Sequence, residues 1–163
     1  MRKTRKNNEW TVSLKLKFFK LHTHFKLTIR TPEAEILETE TPSLYLSNDL
    51  GDFMILPDHA SFSSTIGYSP VFISHKEVIE EYSVRNGLLT FSNAQNQATI
   101  LCFEAKKKEE VDYSSVKKYL KLIEEKLAQH EFSELNEYQY KFLQNEKVVL
   151  VKQIENAEKT VEK

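Results

Sequence analysis

The sequence predicts a β-plus-α fold: an N-terminal β-sandwich followed by a C-terminal antiparallel two-helix hairpin. Three observations predict it. Short apolar-rich runs separated by turn residues recur as far as Phe103, the pattern of a sandwich or barrel. From Val116 the apolar spacing changes to three and four, the period of a helix. No glycine or proline occurs after Gly87, so nothing breaks helices in the last third. Charge divides the 163-residue chain in a similar way. Residues 1–30 hold nine Lys/Arg and one acid, residues 31–105 two against eleven, and residues 106–163 twelve of each. Three charge regimes suggest three units. These are a basic N-terminal extension over residues 1–24, a sandwich over 25–105 and a helical hairpin over 106–163. The extension reads either as disordered or as an extra strand.

The elements follow in order. Val12, Leu14, Leu16 and Phe18 alternate with Ser13, Lys15 and Lys17, which reads as a strand, and alternation resumes through Phe25, Leu27 and Ile29. Thr31-Pro32 should end it. Further strand-like runs are Ala34–Leu37, Leu44–Leu46, Phe53–Leu56, Val71–Ile73, Glu80–Val84, Leu88–Phe91 and Ala98–Phe103. Turn residues fall between them at Thr41-Pro42, Ser47–Asp49, Gly67–Pro70, Asn86-Gly87 and Ser92-Asn93. Asn86-Gly87 between two alternating runs predicts a tight hairpin, because both residues accept positive φ. Val116, Tyr119, Leu120, Ile123 and Leu127 form the apolar stripe of a first helix, with Asp112 as its N-cap. A second helix should start after Ser133, past a short link at residues 130–133. The two apolar stripes should pack on each other or on the sandwich.

Several chemistries are excluded or weak. Net charge is −1, so there is no overall attraction to nucleic acid or membrane, and no apolar run approaches the ~20 residues that span a bilayer. Glycines stand only at positions 51, 67 and 87, too few and too far apart for a phosphate cradle. Cys102 sits in a buried-strand composition with no base beside it, the setting of a core thiol. Asp58-His59 pairs a carboxylate with an imidazole, but neighbours on a strand point to opposite faces, and no third metal-ligand residue follows. His22 and His24 share a strand face without a third ligand, so solvent-facing side chains are the simpler reading. The expected set is therefore no catalytic residue, no metal and no cofactor. The basic stretch Arg2–Lys6 could bind phosphates, with Trp10 and Phe18 available to stack on bases.

From Phe25 to about Leu127 the chain resembles the epsilon subunit of F-type ATP synthases, called delta in mitochondria. The resemblance rests on "TPEAEILETETPSLYLSNDLGDFMILPDHASFSSTIGYSP", on "YSVRNGLLTF" and on "ATILCFEA", followed by two helices. Gly51, Ile55, Pro57, His59 and Ala60 stand at positions of the family's Gly-Glu-x-Gly-Ile-x-Pro-Gly-His-Ala-Pro run, with Asp52 at its acid. Met54, Asp58 and Ser61 replace its usual Gly, Gly and Pro. Asp112 keeps the acid of the family's nucleotide-sensing motif, but Ser115 replaces its arginine, which weighs against ATP sensing. The basic start has no counterpart.

The resemblance implies a non-catalytic rotor subunit. Its sandwich would grip the gamma subunit and stand on the ring of c subunits. Its helices could reach the alpha/beta catalytic subunits and inhibit ATP hydrolysis. The implied protein-contact residues are Asn48, Asp49, Gly51, Asp52 and His59. The implied place is peripheral, on the cytoplasmic face of a bacterial inner membrane, or on an organelle inner membrane if residues 1–24 are a transit peptide. Two rival readings stand beside it: a stand-alone β-sandwich module whose basic arm contacts nucleic acid or anionic lipid, and a small hydrolase using His59.

Overall fold

A computed structural model describes residues 21–75, 77–128 and 137–161. The alternating run at Val12–Phe18, the basic residues around it and the expected interhelical link lie outside the described residues.

Seven strands form one continuously hydrogen-bonded sheet in the order β2-β1-β7-β6-β5-β3-β4. They are β1 (Phe25–Arg30), β2 (Glu35–Thr41), β3 (Leu44–Asn48), β4 (Gly51–Ile55), β5 (Phe62–His75), β6 (Val78–Ser92) and β7 (Gln97–Lys107). All pairings are antiparallel except β1 with β7. The sheet folds over on itself. One apolar cluster joins Leu27 and Ile29 of β1 and Ile100 of β7 to Leu44 and Leu46 of β3, Ile55 of β4 and Ile73 of β5. Thr41, at the end of edge strand β2, donates its hydroxyl to the carbonyls of Ser43 and Ser74, both at 2.8 Å, and ties that edge to the far end of β5.

Two predicted turns are not turns. Asn86-Gly87 lies inside β6, and Gly67–Pro70 lies inside β5. The chain does not reverse at either place: Tyr68 pairs with Arg85 and Ile66 with Gly87, while Arg85 pairs with Glu104 and Gly87 with Cys102. What changes is the face turned to the core. In β6 the buried apolar residues are Tyr82 and Val84 before Asn86, and Leu89 and Phe91 after it. β5 switches between Ile66 and Val71, and β7 between Cys102 and Ala105. All three strands switch at one level, where the sheet bends from one layer of the sandwich into the other. The turn-forming residues serve that corner. Asn86 takes a φ of +49°, and a Cβ on Gly87 would lie 3.0 Å from the Cys102 Cβ and 3.1 Å from the Leu101 carbonyl oxygen. Pro70 removes a ladder donor, and nearby the Ser47 amide bonds the Ser69 hydroxyl at 2.8 Å in place of a carbonyl.

After a 3-10 turn at Lys108–Glu110 come helices α1 (Tyr113–Ala128) and α2 (Glu137–Val161). Asp112 caps α1 as expected, accepting the amides of Ser114 and Ser115 at 3.0 and 3.3 Å. The helices are antiparallel: Lys117 pairs with Glu158 and Lys147 with Glu124, both at 3.0 Å. They pack on each other and on the sheet. Ile123, Val149 and Leu150 are buried, and Val149 lies over Gly67 of β5.

Candidate protein-contact surface

Four of the five candidate contact residues share one end of the sandwich. Asn48, Asp49, Gly51 and Asp52 line a groove of about 610 Å3 between the β3–β4 turn and the start of β5. The turn holds its shape through Asn48, whose side-chain oxygen accepts the amides of Leu50 and Gly51 at 2.8 and 3.1 Å. Gly51 has a φ of +134°, which a side chain would strain. Leu50 at the tip is 97 % exposed. Asp52 points to the outer face, where its hydrogen bond raises the Tyr45 phenol above its ordinary pKa, helped by burial and by the carboxylate's charge.

His59 belongs to the next corner. Leu56-Pro57-Asp58-His59 is a tight turn closed by the His59 amide on the Leu56 carbonyl at 3.3 Å. Proline at the second position and a φ of +61° at Asp58 match a type II turn, which favours glycine at its third position. Hydrogen bonds replace the missing glycine and proline. The Asp58 carboxylate accepts the His22 amide at 2.9 Å and the His22 ring at 2.6 Å. These bonds hold the Asp58 carboxyl below its ordinary pKa. The Asp58 amide donates to the Asn96 side-chain oxygen at 2.9 Å. Asn93 donates from its amide group to the Asp58 and His59 carbonyls, both at 2.9 Å, and its backbone amide reaches the Ser61 hydroxyl at 2.8 Å. Asn96, itself at a φ of +47°, also donates to the His24 carbonyl.

The Asp58 carboxylate is therefore engaged by His22, not by His59. The His59 ring instead bonds the Ala60 carbonyl at 2.8 Å and lies 5.0 and 5.9 Å from the rings of Phe62 and Phe91. This gives His59 a packing role at the rim of an aromatic cluster with its outer side in solvent. His22 and His24 do not converge on a shared ligand, since the His24 ring pairs with the Thr23 hydroxyl at 3.0 Å. Among the described residues no three His, Cys, Asp or Glu side chains are grouped to hold a metal ion. The Cys102 thiol is pushed up to about 11 by burial, and then by Glu104. Asp112 is occupied: its second oxygen accepts the Ser115 hydroxyl at 2.6 Å. Those bonds, Ser115 first, lower its carboxyl to about 2.

Sequence reasoning missed the residues that build the corner, Asn93 and Asn96, and those that seat the hairpin. At that seat Arg85 bonds Glu146 at 2.7 Å and Glu104 at 3.1 Å, while Asn86 donates to Glu146 at 2.7 Å. The available signal was the Asn-rich "SNAQNQ" stretch, since asparagine tolerates positive φ and bonds nearby backbone.

Comparison with known proteins agrees with this architecture. Residues 24–108 match the family described as "ATP synthase, Delta/Epsilon chain, beta-sandwich domain". The ATP synthase epsilon chain of Leptospira borgpetersenii is 30 % identical over 98 residues, covering 60 % of this chain and 76 % of that one. The epsilon chain of Lactiplantibacillus plantarum is 30 % identical over 89 residues, covering 53 % and 61 %. Among solved structures, a chain of the Euglena gracilis mitochondrial ATP synthase, in an OSCP/F1/c-ring assembly, superposes with a TM-score of 0.67 at 16 % identity, over 87 % of this chain and 86 % of that one. A chain from the central stalk and c ring of the Tetrahymena thermophila mitochondrial enzyme gives 0.51 at 13 % identity, over 79 % and 95 %.

Proposed function

Because the chain belongs to the ATP synthase delta/epsilon family, a family of non-catalytic central-stalk subunits, we propose that it couples the c ring to the catalytic head by gripping the gamma subunit. The observation that carries this reading is the family match over the whole sandwich, residues 24–108, with a helical hairpin directly after it. In this reading the groove of Asn48, Asp49, Gly51 and Asp52, together with His59 at the next corner, is the contact surface toward gamma and the c ring. Its turns are fixed by hydrogen bonds while Leu50 and the acids stay exposed, so a partner meets a preformed shape. The folded-over sheet suits torque transfer, because packed layers resist shear.

The hairpin is the movable part of the proposal. Docked on the sandwich it leaves the head alone; extended toward the alpha/beta subunits it inhibits ATP hydrolysis. Such a switch needs two arrangements within a few kcal/mol of each other. The proposal gives Asp112 a capping role rather than a nucleotide contact, because its oxygens are occupied by Ser114 and Ser115. The chain sits at the membrane through its partners, and no helix among the described residues is long and apolar enough to cross a membrane.

The test is binding of the full chain to purified gamma subunit. A stable complex that survives moderate salt is expected. Failure to bind gamma, together with DNA binding that weakens steeply with salt, would overturn the proposal. Deleting residues 112–163 should raise ATP hydrolysis by the assembled enzyme without loss of assembly, and unchanged hydrolysis would confine the helices to a structural role.

A further inference from the structure

We propose that α2 is held on the sandwich chiefly by a buried charge latch, Glu146 on Arg85 and Asn86, with the exposed Lys152–Asp49 pair at 3.1 Å secondary to it, and that this latch sets how often the hairpin releases. The inference rests on the reading of the hairpin as a two-position element.

The seat of α2 is unusually polar. Glu146 is 7 % exposed yet carries a carboxylate. One of its oxygens accepts Arg85 and the other Asn86, each at 2.7 Å. Both partners come from the corner of β6, where Asn86 takes its positive φ. The corner where the sheet changes layers is thus also the receptor for the helix. Arg85 is shared with Glu104, and Glu104 is paired in turn with Lys106 at 2.8 Å, so charges in the cluster balance only while Glu146 is in place.

Two and nearly three turns further along α2 there are more polar contacts, Gln153 to Ser83 and Asn156 to Tyr68, both at 3.3 Å. Apolar contact sits between these polar ones, with Val149 over Gly67 and Leu150 buried. Two buried atoms at this seat, Arg85 Nε and Gln153 Oε1, have no protein partner in the docked arrangement. Water would satisfy both on release, so each favours letting go. Opposing them is one buried ion pair, of the kind whose loss through a single partner is strongly destabilising. A seat built this way has one dominant residue.

Amide hydrogen exchange of the full chain tests it, comparing α2 near Val149–Gln153 with sheet strands β1 and β7 in the same sample. Glu146→Gln keeps shape and removes charge. It should speed exchange in α2 roughly 100-fold and leave the sheet unchanged. Asn86→Gly keeps the positive φ but removes one bond, and should speed α2 about 10-fold. If Glu146→Gln leaves α2 unchanged, or speeds helix and sheet together, the latch is wrong. Should that variant fail to fold, Asn86→Gly decides: faster α2 exchange with an unchanged sheet supports the inference, and unchanged exchange, or helix and sheet speeded together, overturns it. Gamma binding is measured separately. Normal gamma binding with unchanged α2 exchange sinks the latch alone, while faster α2 exchange without gamma binding sinks the rotor reading and spares the latch.

Discussion

The sandwich and the hairpin are held by different physics. Leu27, Ile29, Leu44, Leu46, Ile55, Ile73 and Ile100 are all fully buried in one apolar cluster, which resists any local opening. The hairpin meets that body through Val149 over Gly67 and through a set of polar contacts, Glu146, Gln153, Asn156 and Lys152 bonded to Arg85, Ser83, Tyr68 and Asp49. Directional polar contacts can be exchanged for water with a small net change, whereas a buried apolar face cannot. The difference teaches how one short chain can join a stiff apolar platform to an arm seated largely by polar contacts.

That contrast can be broken in four places. The largest effect is expected at the core. Ile100→Ala should destabilise the sandwich by about 3–4 kcal/mol, read as a lowered melting temperature of the Leu27 methyl NMR signal. Unchanged melting of the sheet would contradict its tightly packed apolar core. Next comes the sandwich corner. Gly87→Ala places a Cβ against backbone and the Cys102 Cβ, and should cost about 1–3 kcal/mol by thermal melting. A neutral result would mean that the corner yields easily and is no fixed seat for α2.

Smaller still is the Pro57–Asp58 turn. Asp58→Gly relieves the positive φ while losing the His22 contact, so Tm should hardly move. Asp58→Ala loses the contact and keeps the strain, and should melt lower than Asp58→Gly. The reverse order would deny the type II reading.

The smallest effect is at the start of α1. The Asp112 carboxyl is lowered to about 2 by Ser115 and Ser114, so its contribution is complete above its ordinary pKa and is lost as pH falls through about 2. Amide signals of Ser114 and Ser115 should shift over that window and stop doing so in Asp112→Ala, with the sheet unaffected.

How far the sequence revealed this molecule also differs between the regions. Alternation located β1 and β3 because one face of each is buried, and the spacing of Val116, Tyr119 and Ile123 located α1. The Asp112 cap was legible because a cap is local: donor and acceptor lie within three residues. Asn86-Gly87 and Gly67–Pro70 misled because positive φ and a missing donor serve a bent strand as well as a turn. Only the registers of β5, β6 and β7 reveal that all three bend at one level. Four of the five contact candidates line one groove because they sit on a single turn, while His59 lies at the corner past the other end of β4. Their supports could not be read that way, since Asn93 and Asn96 reach Asp58 across more than thirty residues. The Glu146 seat spans about sixty and left no trace in spacing or composition.

The most direct test of the contrast is equilibrium unfolding in urea followed by two probes, helical ellipticity at ~222 nm and the NMR signals of the Leu27 and Ile100 methyl groups. If polar contacts seat the hairpin and an apolar core holds the sheet, helical signal should fall at lower urea than the methyl signals. Coincident transitions would show one cooperative unit and contradict a detachable arm.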